Sequence, residues 1–244
     1  MREIMIVLTA SVLLLAVSCR ETTRALPAEQ AAALEHVPAS FPSESLAESG
    51  DCYTARMDYP FLGRPALDEI LRAQAEGIFR EAREELKSYC SSGKEEKDPL
   101  YEFTASYQVF SSHKVVSVLF NLYTYTGGAH GLNDLYALNL RLSGGKPLGW
   151  NDLFARPEGL WDFLADCARA SLRPELEEYW LRNPDFAEGL RPEEASFKYF
   201  ALTEKGLSLF FPPYQLAPYA AGQQRCDIPL EALLKFIPRP GLWD

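Results

Sequence analysis

The spacing of apolar and polar positions changes several times along the chain, and each change marks an element. Ile4 to Val17 is almost wholly apolar after the charged start Met1-Arg2-Glu3, and Ala16-Val17-Ser18-Cys19 closes the run. A basic residue, a short apolar run and small residues before a cysteine read as a bacterial secretory signal ending in a lipobox. The run is shorter than the about 20 apolar residues a membrane span needs. Residues 1–18 are therefore expected to be removed, and Cys19 to carry the lipid; a plain, non-lipidated signal peptide is the alternative, since Ala16 stands three residues before Cys19 where leucine is more usual. From Arg20 to Gly50 the chain is rich in Ala, Ser, Glu and Pro without a sustained apolar face. This predicts a flexible tether over 19–50, with a reach of roughly 30 Å.

Cys52–Tyr59 has the pattern of a strand closed by Pro60 and Gly63. Pro65 opens a helix, and Leu67, Ile70, Leu71, Ile78, Phe79, Ala82, Leu86 and Tyr89 then recur at helical spacing. Ser91–Asp98 is a polar, charged loop. Tyr101–Phe110 and Val115–Thr126 read as two strands across a Ser111–Lys114 turn, the second apolar on both faces like a central strand. Leu135–Leu142 alternates again. Leu160–Leu172 forms one helical face, and Pro174 is expected to begin a second helix. Phe197–Leu202 and Leu207–Phe211 form a hairpin, Arg225–Ile228 a short strand, and Leu230–Ile237 a last helix. The sum is an α+β fold, an antiparallel sheet with packed helices. The expected division is a strand-helix-hairpin subdomain over 51–122 and an α+β domain over 123–240.

Composition narrows the function classes. The chain is 47% hydrophobic and 12% aromatic, enough to bury a core, and its formal net charge is −10. An acidic surface repels nucleic-acid phosphates and favours basic partners, so no nucleic acid is expected. With Cys19 set aside, Cys52, Cys90, Cys167 and Cys226 remain. An even number in an exported protein favours disulfides, with three connectivities open. Cys52–Cys90 and Cys167–Cys226 keep each bridge within one half of the chain. Four reduced, buried thiols are the alternative. No CxxC or HxxxH spacing occurs, so neither a metal nor a cofactor is expected.

Tyr123-Thr124-Tyr125-Thr126-Gly127-Gly128-Ala129-His130-Gly131 is followed by a strand, Gly145-Lys146-Pro147-Leu148 and Asp152-Leu153-Phe154. Later come Phe200-Ala201-Leu202-Thr203, Gly206-Leu207, Pro213-Tyr214-Gln215-Leu216-Ala217-Pro218-Tyr219-Ala220-Ala221-Gly222 and Ile228-Pro229-Leu230. This set resembles the extracellular domain family of unknown function found in RsiV-like, lysozyme-sensing anti-sigma factors and beside the catalytic domain of PdaC-like peptidoglycan deacetylases. The resemblance is strongest from Tyr123 to Ile237, and Cys52–Leu122 is similar to the region that usually precedes it. It implies a fold, and lysozyme or cell-wall glycan as a partner. It implies no activity, because neither the anti-sigma segment nor the deacetylase aspartate and histidines accompany it.

Candidate chemistry is sparse. There is no GxSxG elbow, and acidic pairs such as Glu84-Glu85 and Glu177-Glu178 read as solvated faces. His130 stands in a glycine-rich turn, either facing a ligand or capping backbone groups there. Tyr214 and Tyr219 lie in a loop restricted by Pro213 and Pro218, which leaves little ordering entropy to lose on binding. They either face a partner or pack inward and pin the loop. The reading is a cell-envelope lipoprotein, held to the membrane by its lipid, that binds a basic protein such as lysozyme or a cell-wall glycan through His130, Pro213, Tyr214 and Tyr219. An enzyme or accessory subunit acting on cell-wall polymers is the alternative.

Overall fold

A computed structural model of the chain describes residues 41–92 and 101–243. The expected signal (1–18), Cys19 and the first part of the expected tether lie outside the described residues. Strands β1 (Ser43–Ser49) and β2 (Tyr53–Pro60) pair antiparallel. Helix α1 (Pro65–Ser92) leads on towards β3 (Tyr101–Ser112), which pairs parallel with β2. β4 (Val115–Tyr125) and β5 (Leu132–Arg141) follow as an antiparallel meander. These strands make one sheet in the order β1-β2-β3-β4-β5.

The remainder builds a second layer pair. A short 3-10 turn, Trp150–Asp152, precedes α2 (Leu160–Arg182), and the short α3 (Asp185–Glu188) follows it. β6 (Tyr199–Thr203), β7 (Gly206–Phe211) and β8 (Gln224–Pro229) form a separate antiparallel sheet. α4 (Leu230–Leu233) runs into a 3-10 turn, Leu234–Phe236.

Side-chain alternation stacks these pieces in four layers. Met57, Phe103, Val116, Val118, Phe120, Leu138 and Leu140 face α1, which returns Leu67, Leu71, Ala75, Phe79 and Leu86. On the other face of the first sheet, Leu119 and Leu135 meet Tyr199, Ala201 and Phe210 of the second. The outer face of the second sheet, with Phe200, Leu202, Leu207, Leu209 and Phe211, is covered by Leu160, Leu164, Ala168, Leu172 and Leu176 of α2. β4 is thus buried on both sides, which explains its apolar run.

Two polar residues of the first sheet answer backbone groups of β6. β6 is an edge strand, and its Leu202 N–H donates to Ser117 Oγ at 2.9 Å. Asn139 Nδ2 donates to Phe200 O at 3.1 Å. Buried backbone groups on an unpaired edge need such partners.

Three expectations need correction. The tether does not extend to Gly50, because Ser43–Ser49 is strand β1. Its half-buried Glu44, Leu46 and Glu48 alternate towards α1, and the acidic pair hid the alternation. Tyr59 donates to Glu44 Oε2 at 2.5 Å and Tyr53 to Glu48 Oε1 at 2.5 Å. The division at 122/123 falls inside the continuous β4. Pro174 lies inside α2 rather than starting a helix, because Leu172 and Leu176 on either side bury the same face. The α+β class, antiparallel strands with packed helices, holds; the strands divide between two sheets, and the first includes one parallel pair.

Cys52 and Cys90 form a disulfide that ties the start of β2 to the end of α1. Cys167 and Cys226 are both buried in the α2-side core. Among the described residues, no helix is long and apolar enough to cross a membrane.

Candidate functional site

Two hairpin connections meet at one end of the sandwich. The β4–β5 turn carries Gly127 and Gly128 at φ 99° and 97°, a left-handed backbone that glycine adopts without a Cβ penalty. Gly131 closes the turn against the Tyr123 ring, where a Cβ would lie 2.4 Å from Cε2. These contacts hold His130 out into solvent. Its Nδ1 lies 2.8 Å from Gly131 O. A carbonyl only accepts, so Nδ1 carries a proton in this contact.

The β7–β8 connection supplies the tyrosines. Its centre is anchored in the core: Leu216 is 0% exposed and Ala217 2%. Trp180 Nε1 donates to Leu216 O at 2.9 Å. Gln215 Nε2 donates to Gly189 O at 3.1 Å and to Ser196 O at 2.9 Å. Tyr214 has φ 73°, a left-handed backbone that is uncommon for a bulky residue. Its N–H donates to Ala217 O at 3.0 Å. The side chain points outward and is 49% exposed.

The two connections touch through their rings. His130 stacks on Tyr219 with centroids 4.2 Å apart and 20° between planes. Tyr214 sits 5.8 Å from Tyr219, tilted by 38°. Its hydroxyl lies 3.4 Å from His130 Nε2, a long contact. Asn133 Nδ2 donates to Tyr219 OH at 2.7 Å. Leu132, 60% exposed, extends the patch with apolar surface.

Beneath the patch, Lys198 Nζ donates to Tyr199 OH at 3.0 Å, and that hydroxyl donates to Asp134 Oδ1 at 2.9 Å. Burial pushes the Tyr199 phenol up, and the hydrogen bond to Tyr199 raises Lys198. Both groups therefore hold their protons at neutral pH, and they brace the start of β5.

The structure brings His130, Tyr214 and Tyr219 together and leaves Pro213 half-buried behind Tyr214. Cys52 and Cys90 join the start of β2 to the end of α1, at the same end of the first sheet as the β4–β5 turn but two strands away from β4. Asn133, Gln215, Trp180 and Gly189 were not singled out in the sequence, because single polar or glycine positions carry no spacing signal. The arrangement offers stacked rings, hydroxyls, an amide and an imidazole. Among the described residues, no three His, Cys, Asp or Glu side chains cluster to hold a metal.

Residues 46–133 match the family model described as "Deacetylase PdaC", and residues 151–231 match "Protein of unknown function (DUF3298)". The chain has the DUF3298 fold, preceded by a PdaC-type region. It is 27% identical over 201 residues to the peptidoglycan-N-acetylmuramic acid deacetylase PdaC of Bacillus subtilis strain 168. That alignment covers 79% of this chain and 40% of the relative. Among solved structures, a DUF3298 protein from Pseudomonas aeruginosa PAO1 superposes with a TM-score of 0.60 at 23% identity, covering 84% of this chain and 97% of that one. A DUF3298 member from Bacteroides fragilis NCTC 9343 gives 0.54 at 19% identity, covering 82% and 93%. His130 falls in the PdaC-type match, and Tyr214 and Tyr219 fall in the DUF3298 match. The aromatic patch therefore forms where the two regions meet.

Proposed function

We propose that this protein is a cell-envelope binding module that grips peptidoglycan-type glycan at the His130–Tyr214–Tyr219 patch. The observation that carries the reading is the patch itself: an exposed tyrosine and a stacked His–Tyr pair held by a loop whose backbone is fixed from below. Sugar rings offer apolar faces edged by hydroxyls. The tyrosine and histidine rings match the faces, and Asn133, Tyr214 and the imidazole match the hydroxyls. A fixed loop loses little entropy on binding, and tyrosine is enriched among residues that dominate contact surfaces. Similarity to a peptidoglycan deacetylase supports a cell-wall ligand. A lipid on Cys19 would keep the module at the membrane surface.

The net charge of −10 favours a second reading, a basic protein such as lysozyme as the partner. Co-sedimentation of purified protein with insoluble peptidoglycan, beside a lysozyme titration, each at low and high salt, separates them. The glycan reading expects co-sedimentation that survives salt and falls with Tyr214→Ala. Absence of co-sedimentation, together with salt-sensitive lysozyme binding, overturns it in favour of the second.

A further inference from the structure

The aromatic patch stands at one end of a second feature, the open part of the first sheet's outer face. Alternation fixes which side chains lie there. Ala55 and Met57, Phe103 and Ala105, and Phe120 turn towards α1, so Arg56, Thr104 and Tyr123 turn the opposite way. The strand register then sets them in one line: Ala47 pairs with Arg56, Arg56 with Thr104, Thr104 with Tyr123, and Tyr123 with Asn133. Asn133 Nδ2 carries the line on to Tyr219 OH at 2.7 Å. Four strand intervals of about 4.8 Å make a row of about 19 Å that runs across the strands and ends at the patch.

The second sheet packs over Phe110, Leu119, Leu135 and Ala137 and leaves this row uncovered. Ala47 is exposed, Arg56 has 58% of its side chain exposed, and Thr104 and Tyr123 are half-buried. The row offers hydrogen bonding rather than net charge. Arg56 is answered by Asp58 at 2.8 Å and donates to Ser45 Oγ at 3.1 Å. Thr104 and Tyr123 bring hydroxyls, and Asn133 an amide. An uncharged chain carrying hydroxyl and amide groups fits that chemistry; a strongly basic or strongly acidic partner finds no matching charge along the row. We propose that the row is a set of subsites for an extended glycan, with one sugar at the stacked rings and the next ones over Tyr123, Thr104 and Arg56. The proposal rests on the glycan reading of the patch, and adds the length of the ligand and the direction in which it runs.

The test is calorimetric titration of two N-acetylglucosamine oligomers, the disaccharide and the hexasaccharide, into the purified protein. Wild type is expected to bind the hexasaccharide at least about tenfold more tightly, because the added sugars meet subsites already fixed on the sheet. Thr104→Arg lays a long side chain across the row, and Arg56→Ala removes its far end; each is expected to cut the ratio to about threefold or less. Arg56 is exposed and its ion pair contributes little to stability. Arg56→Ala and the length series on wild type therefore still decide if Thr104→Arg fails to fold. Tyr214→Ala is expected to weaken both oligomers. Equal affinity of wild type for the two lengths, or a tenfold ratio that either folded variant keeps, overturns the row, while binding of the disaccharide leaves the patch standing. No heat from either oligomer overturns both readings.

Discussion

Replacing Gly189 by alanine tests how the tyrosine loop is held. Gly189 follows α3 with φ −63° and ψ −8°, an ordinary helical backbone that alanine adopts freely. Space is what forbids the change. A Cβ there would lie 2.2 Å from the backbone oxygen of Gln215, 3.1 Å from its carbonyl carbon and 2.9 Å from Leu216 Cδ2. Ordinary contact begins near 3.4 Å, so the Gln215 carbonyl must retreat by about 3.4 − 2.2 = 1.2 Å. Gln215 and Leu216 are fixed by three hydrogen bonds to Gly189, Ser196 and Trp180, and Leu216 is fully buried. The retreat therefore strains a packed core. Overpacking of this kind costs about 1–3 kcal/mol, and each kcal/mol lowers the melting midpoint of a domain this size by about 2–4 °C. Thermal unfolding followed by circular dichroism measures it. Gly77→Ala is the control: it lies within α1 with nothing within 4 Å of its Cβ, so the same added methyl is expected to stabilise by about 0.5–1 kcal/mol. A Gly189→Ala protein as stable as wild type, with unchanged ligand affinity, refutes the account of the anchored loop.

Other outcomes follow from the first sheet. The Glu48 carboxyl, held by Tyr53 OH, Lys87 and Arg83, is lowered from 4.5 to about 2. A depressed acid contributes stability present above its unfolded value and lost as pH falls, so stability should decline from about pH 4.5 to 2, and Glu48→Gln should flatten that decline in urea titrations across the range. The Cys52–Cys90 bridge closes a loop of sequence separation 38. Replacing both cysteines by serine should lower unfolding free energy by about 2–4 kcal/mol, checked by denaturant unfolding of both proteins. Gly206→Ala should fail more severely than Gly189→Ala, because φ is 140° and the Cβ would meet Ile228 O at 2.1 Å; soluble yield and melting midpoint report it.

Much of this fold is written in periodicity. The 3.6-residue recurrence from Leu67 to Leu86 marks α1 because one face alone is buried, and the two-sided apolar run of β4 marks a strand between two layers. β1 escaped because an edge strand half in solvent can use Glu44 and Glu48 on its inner face, where tyrosine hydroxyls and Arg or Lys answer them. Pro174 misled because local chemistry stops helices there, while continuous packing of Leu172 and Leu176 overrides it. The split into two sheets was invisible because only tertiary contact, through Ser117 and Asn139, separates one long meander from two stacked ones. At the site, the glycine turn and the Pro-Tyr loop were legible from composition. Their meeting was not, since Tyr219 lies 89 residues from His130 in the sequence, and no local pattern encodes a stack across that distance.

Calorimetric titration of soluble peptidoglycan fragments into wild-type and Tyr214→Ala protein tests the central claim most directly. Tyr214 is outside the core, so the variant should melt as wild type does. The account predicts measurable binding by wild type and at least about fivefold weaker binding by Tyr214→Ala, the equivalent of about 1 kcal/mol at a contact residue. Equal affinity of the two proteins, or no heat from either, would contradict it.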